Sequence, residues 1–294
     1  MATQHKKAQT FSMSDASELK TTQGTSFLIY GSSASRKTRT LGTMPDQSVT
    51  LHISLDNGAN SATDAAKVFG NGKATHKITV PKNLQELNDV IIALHTNKLY
   101  KDNIDSVVID NYVVISNWIK SYIFASPRYK RDALHIEDAV KDDTGKNAES
   151  KKMQPFYLDL QRITNEFMQQ VNTLTSQYNV FMLAGETETK DSMGQPLTTV
   201  LVNGPASIAP MVFLFSEVYR TDFKEGDFDS KDHTATFFKI STYTDKLTGQ
   251  KLFAKTRNIK DLKSLQTNTI KADFNHILSN EIGYIWKKDR KEVK

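Results

Sequence analysis

Phe27-Leu28-Ile29-Tyr30-Gly31-Ser32-Ser33-Ala34-Ser35-Arg36-Lys37-Thr38 is the stretch on which the fold of this chain turns. Large apolar residues in an unbroken run predict a strand buried on both faces. The residues after that run obey the phosphate-loop rule of glycine, four residues, then Gly-Lys-Ser/Thr, with one departure. Gly31, Lys37 and Thr38 satisfy the rule, and Arg36 stands where the second glycine belongs.

Such a loop works because successive backbone N–H groups and a helix N-terminus wrap the oxygens of a phosphate chain. The pattern predicts that Gly31, Ser32, Ser33, Ala34, Ser35, Arg36, Lys37, Thr38 and Arg39 cradle a nucleotide. Lys37 would reach the β- and γ-phosphates, and the Thr38 hydroxyl would bind Mg²⁺. Gly31 is expected to permit the tight turn that leaves the strand. Glycine in the second position normally supplies positive φ or close backbone approach. A residue with a Cβ costs on the order of 1 kcal/mol there, which Arg36 can offset by touching phosphate itself. The expectation is altered but retained nucleotide affinity. The plain alternative is an ordinary strand–loop–helix junction.

A phosphate loop needs an acid at the end of a second strand to hold the metal shell. Asp105-Ser106-Val107-Val108-Ile109-Asp110 supplies it, with Asp110 at the end of an apolar run. Read alone, Asp110 is equally a turn-forming residue; the two motifs together are far more specific than either.

Outward from these motifs the chain alternates strands and helices. Strands are predicted at Ser26–Tyr30, Val49–Ser54, 77–80, Ser106–Asp110 and Asn179–Ala184. Leu84, Leu87, Val90, Ile91 and Leu94 mark one helical face, and Phe156, Leu160, Ile163, Phe167, Val171, Leu174 and Tyr178 a longer one. This alternation predicts an α/β fold with a mostly parallel central sheet. Residues 1–24 read as a disordered N-terminal segment, 25–260 as the nucleotide-binding domain, and 261–294 as a C-terminal helix (269–286) and basic tail. Residues 125–154 carry mixed charge and few large apolar groups and read as an insertion or mobile loop. Segments 234–244 and 251–256, joined by a Gly-containing turn, read as a late β-hairpin.

Composition narrows the class. The chain has 294 residues, 38% of them hydrophobic, enough for one large or two small domains. No apolar run is long enough for a membrane helix, and the polar N-terminus lacks a signal peptide's apolar stretch. With Cys 0, disulfides and thiolate-bound metal are excluded, which suits a cytoplasmic protein. A net charge of +5 permits nucleic-acid binding without demanding it. The histidines show no metal-ligand spacing, and Trp118 and Trp286 read as packing residues on helical segments.

With these motifs in order, the chain resembles the RecA-like P-loop nucleotide-binding proteins of bacteriophages, including the single-strand annealing ATPases of phage recombination systems. The resemblance runs from about Ser26 to Arg257. Leu51-His52-Ile53-Ser54-Leu55-Asp56-Asn57-Gly58 is similar to the family's strand ending in a water-polarising acid, here Asp56 in place of the usual Glu. Ala184-Gly185-Glu186 resembles the polar sensor, with Gly185 where histidine is usual. Asn203-Gly204-Pro205-Ala206 and Phe215-Ser216-Glu217-Val218 resemble a later turn and strand start, and Ala254-Lys255-Thr256-Arg257 the basic motif of a late hairpin.

The resemblance implies a RecA-like P-loop core, ATP and Mg²⁺ as ligands, and a homo-oligomer, ring or filament. Catalytic roles fall to Lys37, Asp56, Glu186 and, as fingers into a neighbour's site, Lys255 or Arg257. Thr38 and Asp110 hold the metal. Single-stranded DNA is the expected partner, along Arg128, Lys130 and Arg131 beside Tyr129, and along Lys287, Lys288 and Arg290. Phage or host recombination and replication proteins are further candidates. On sequence alone, Lys255, Arg257 and both basic clusters are better read as solvated surface. Arg36, Asp56 and Gly185 together favour a rival of another class, a non-hydrolysing nucleotide-binding or assembly protein on the same fold. A small-molecule kinase fits less well, since no acceptor-binding or lid motif is visible.

Overall fold

In a computed structural model of the chain, the described residues are 23–33, 35–56, 58, 60–64, 74–126, 146–190, 194–202, 208–222, 236–238, 251–252, 254–256, 269–284 and 286–287. The apolar runs form strands where they are expected: β1 (Ser26–Tyr30), β2 (Val49–Ser54), β4 (Ser106–Asp110) and β5 (Asn179–Ala184). The strand expected at 77–80 is β3 (Thr75–Thr79), displaced toward the N-terminus. β3 lies at the edge of the sheet and is half-exposed, so it lacks the continuous apolar signature of its neighbours.

Two further strands, β6 (Glu186–Lys190) and β7 (Pro196–Val200), pair antiparallel as a hairpin. β8 (Glu217–Asp222), β9 (Thr236–Phe238), β10 (Lys251–Leu252) and β11 (Thr269–Lys271) follow. The main sheet runs β11-β9-β8-β1-β5-β4-β2-β3. From β8 to β3 every pairing is parallel, and β9 and β11 add antiparallel at the β8 edge. One strand, β5, separates the phosphate-loop strand β1 from the acid-ended strand β4. This is the α/β architecture expected of a RecA-like P-loop core.

Alternation along each strand sorts side chains to two faces. Leu28, Tyr30, Ile53, Val107, Ile109, Val180 and Met182 share one apolar core with helices α2 (Leu84–Thr96), α4 (Tyr112–Ala125) and α5 (Lys146–Thr173). Phe27, Ile29, Val108, Phe181 and Leu183 face the other way, against Leu41, Met44, Phe274, Ile277, Leu278 and Trp286. There Phe27 stacks on Phe181 at 4.6 Å between ring centroids, and both meet Phe274 edge-on, an arrangement that adds to their burial. Between α2 and β4 lies the short helix α3 (Lys98–Asn103).

Several boundaries depart from expectation. α5 begins at Lys146, inside the segment expected to be a loop, and carries Pro155 within it. The C-terminal segment opens as strand β11. Its helix α7 starts only at Phe274, and after His276 runs on in π-helical form as Ile277–Ile282, ending at Gly283 with φ 71. Of the expected late hairpin, residues 239–250 lie outside the described residues. Among the described residues the parts on either side pair elsewhere: β9 joins β8 and β11, and β10 runs parallel to β7. Residues 1–22, 127–145 and 288–294 also lie outside the described residues.

Candidate nucleotide site

The parallel strands β1, β2, β4 and β5 all end on the same edge of the sheet, so the segments leaving them converge. The cleft they form measures about 760 Å³ and is lined by Gly31, Ser32, Ser33, Arg36, Lys37, Thr38, Arg39, Asp56, Asp110, Gly185 and Glu186, among others. These are the residues expected to form the site from the sequence, gathered from separate segments of the chain. A pocket of this size is ample for a nucleoside triphosphate.

The loop enters helix α1 (Lys37–Thr40) through Arg36, whose φ of 64 and ψ of 21 are left-handed. Among the described residues Arg36 is the one non-glycine with positive φ. Glycine is thus missing at the position whose backbone asks for it, at the expected cost of about 1 kcal/mol. Gly31 has another reason to be glycine. A Cβ there would lie 2.3 Å from Thr221 Oγ1 and 2.7 Å from Ser35 Oγ, so close packing against β8, not an unusual turn, excludes a side chain. Ser35 is buried and points to Thr221, the two hydroxyls 2.7 Å apart. Ala34 lies outside the described residues.

The Lys37 ammonium donates to the Gly31 and Ser32 carbonyl oxygens at 2.9 and 2.7 Å, and to Ser35 Oγ at 3.3 Å. It spans the loop it belongs to. Burial lowers its pKa, against the opposing pull of Asp110, Glu186 and Asp56. Thr38 Oγ1 donates to Asp110 Oδ2 at 2.6 Å, which joins the two motifs. Burial raises the Asp110 carboxyl to about 6; the Thr38 bond and Lys37 pull it down, and Asp56 pushes it further up. A cation beside it would reverse that balance.

Gly58 tests whether the residues fit a metal. A Cβ built there would sit 2.9 Å from Asp56 Oδ1, 3.4 Å from Asp110 Oδ2 and 3.6 Å from Thr38 Oγ1. Three oxygens therefore surround a space left open by the missing side chain, and oxygen donors suit Mg²⁺. Asp56 Oδ1 accepts from Gly58 N at 3.0 Å, and Asp56 Oδ2 from Asn111 Nδ2 at 2.5 Å. Glu186 is held by Arg220 of β8, whose Nε donates to Glu186 Oε2 at 2.9 Å. At Gly185 a Cβ would stand 3.3 Å from Leu201 Cδ2, so the histidine usual in the resembled family would press on Leu201.

Other expected residues lie elsewhere. Lys255 does not line the cleft: its backbone bridges Val218 of β8, and its ammonium donates to Val212 O of helix α6 (Ile208–Leu214) at 3.0 Å. Lys287 sits at the opposite end of β4 from Asp110. Its N–H donates to Asp105 Oδ1 at 3.0 Å and its ammonium to the Lys101 and Ile104 carbonyls, 4.5 Å from the Tyr178 ring centre. Arg128, Lys130, Arg131, Arg257, Lys288 and Arg290 lie outside the described residues, as does the turn at 203–206. Gly58, Asn111, Arg220 and Thr221 were not singled out as site residues by sequence. For Asn111 and Gly58 the signal was there, since each follows an expected acid within two positions.

No protein-family model matches the chain, and no curated protein does. Among solved structures it is similar to an ATPase domain, with 12% identity, 80% of this chain and 78% of that one covered, and a TM-score of 0.41. It is also similar to a prototypical ATPase from the type III secretion system of pathogenic bacteria, with 12% identity, 70% and 54% coverage and a TM-score of 0.35. The chain thus spans about half of the second structure.

Proposed function

We propose that this chain is a RecA-like nucleotide-binding protein that takes ATP with Mg²⁺, hydrolyses it slowly, and acts on single-stranded DNA in phage recombination. One observation carries the nucleotide reading. Thr38 and Asp110, 72 positions apart, meet at 2.6 Å, beside a lysine that caps its own loop and an opening kept free by Gly58. A plain strand–loop–helix junction has no need of that convergence.

In this reading the loop amides and Lys37 bind the phosphates, and Arg36 adds a second cation at the cleft wall. Thr38 and Asp110 hold Mg²⁺, which when bound neutralises charge on the β- and γ-oxygens. Asp56 orients the attacking water, and Glu186 faces the γ-phosphate region. Lys255 is tied to Val212 within its own subunit, so its role as a finger, with Arg257, belongs to the cleft of a neighbour in a ring or filament. The DNA path along Arg128, Lys130 and Arg131, with Lys288 and Arg290, rests on sequence alone. Lys287 enters it as an anchor of the tail. Among the described residues no helix is long and apolar enough to cross a membrane.

A second reading, nucleotide binding without turnover, is favoured by Gly185, which offers no side chain where the resembled family carries a polar sensor. Nucleotide binding and phosphate release, measured with and without single-stranded DNA on wild type and Lys37→Ala, decide between them. The first reading expects DNA-stimulated release that the variant loses by a hundredfold or more. Binding without release selects the second, and absence of binding in wild type removes both.

A further inference from the structure

The side chain of Asn111 does two different jobs with its two ends. Its Oδ1 accepts from Val114 N at 3.3 Å and caps helix α4. Its Nδ2 donates to Asp56 Oδ2 at 2.5 Å. Because one end must accept and the other must donate, the amide has one orientation consistent with both bonds. Asp56 is gripped from its other side by the Gly58 N–H at 3.0 Å. Its carboxylate plane is therefore fixed by two donors from two segments, one leaving β2 and one leaving β4. It is held with Oδ1 turned toward the opening that Asp110 Oδ2 and Thr38 Oγ1 also face.

We propose that Asn111 is a positioning residue for Asp56, setting the carboxylate that orients the attacking water. The role rests on the hydrolytic reading of the site. Aspartate is one methylene shorter than the glutamate usual at this place in the resembled family, so its reach is smaller and its aim matters more. A free aspartate on the turn after β2 would sample several rotamers, only some of which face the opening. The helix cap supplies the fixed point: Asn111 is anchored to α4 and extends its amide across to Asp56. A donor held in this way costs little reorganisation when the reaction begins.

The two ends of the side chain can be separated by substitution. Asn111→Asp and Asn111→Ser both keep an oxygen that caps a helix. Asp loses the donor and sets a second carboxylate against Asp56, while the Ser hydroxyl is too short to reach Asp56. We expect both variants to melt within a few degrees of wild type and to bind the non-hydrolysable ATP analogue within about twofold. Their kcat should fall ten- to a hundredfold with KM little changed. In an Asp56→Ala background, Asn111→Ser should cost nothing further, because a residue that acts through another has no effect once that one is gone. Gly58 amide hydrogen exchange, which needs no turnover, should accelerate severalfold in Asn111→Ser. Wild-type kcat in Asn111→Ser, effects that multiply with Asp56→Ala, or unchanged Gly58 exchange would each overturn the positioning role while leaving the nucleotide reading intact. A wild type that turns over no ATP overturns the hydrolytic reading instead, and unchanged exchange in Asn111→Ser would then still remove the grip on Asp56.

Discussion

The acids at the cleft and the histidines and hydroxyls behind them on β2, β3 and β4 are held on different terms. At the cleft every acid has a donor: Asp110 has Thr38, Asp56 has Asn111 and the Gly58 amide, and Glu186 has Arg220. A few residues back along β2, β3 and β4, the ring nitrogens of His52 and His76 and the hydroxyls of Thr50 and Ser106 are buried with no hydrogen-bond partner among the described residues. His52 is fully buried and meets His76 edge-on at 6.0 Å. Each unpaired group of this kind costs on the order of 1–3 kcal/mol. The contrast separates a cleft whose carboxylates are each fixed by a donor from a flank that merely tolerates polarity. At the cleft, charges are fixed in place before any ligand arrives; on the flank, polar groups are a weakness that acid will find.

The sharpest way to break this comparison is to fill the opening. Gly58→Val should lower turnover by a hundredfold or more with the protein still folded, because a side chain there stands among Asp56, Asp110 and Thr38. Steady-state hydrolysis across a Mg²⁺ titration, beside circular dichroism, checks it, and wild-type turnover would show that the opening is not where the metal sits.

The flank is tested by pH. Burial first, and His76 second, lower His52 to about 3 from the usual 6.5. The folded state therefore keeps His52 neutral while the unfolded chain takes up a proton. The stability this contributes is fully present above pH 6.5 and is lost as pH falls toward 3, by about 1.4 kcal/mol per pH unit. The difference in stability between wild type and His52→Leu, from urea melts between about pH 7 and 4, should carry that slope, because Asp110, raised to about 6, and His76, lowered by burial, titrate in both proteins. A slope identical in both proteins would mean that His52 is not the group that titrates.

A smaller effect is expected at Arg36. Arg36→Gly removes a left-handed arginine but loosens the unfolded chain, so stability should change by less than about 1 kcal/mol. Nucleotide affinity should drop severalfold with the lost guanidinium. Equal or tighter binding by calorimetry would make Arg36 a handicap and not a ligand.

Whether a feature could be read beforehand depends on whether it is local. β1, β2, β4 and β5 are legible to the residue because buried parallel strands are written as unbroken apolar runs. The edge strand β3 alternates polar groups and is off by a few positions. The start of α5 was hidden because Pro155 reads as a stop and the residues before it are polar, though a helix can carry proline at the expense of one hydrogen bond. The β6–β7 hairpin was missed although Gly194, with φ 78, stands in its turn. Lys37, Thr38, Asp56, Asp110 and Glu186 were legible because each lies close to the end of a readable strand. Arg220 was not, since its bond to Glu186 joins positions 34 apart and exists only once β8 has docked beside β1.

β8 touches the cradle at several points. Thr221 leans on Gly31 and Ser35, Arg220 grips Glu186, and Val218 is bridged to Lys255. One strand thus links the Lys255 segment to the first glycine of the loop and to the glutamate opposite.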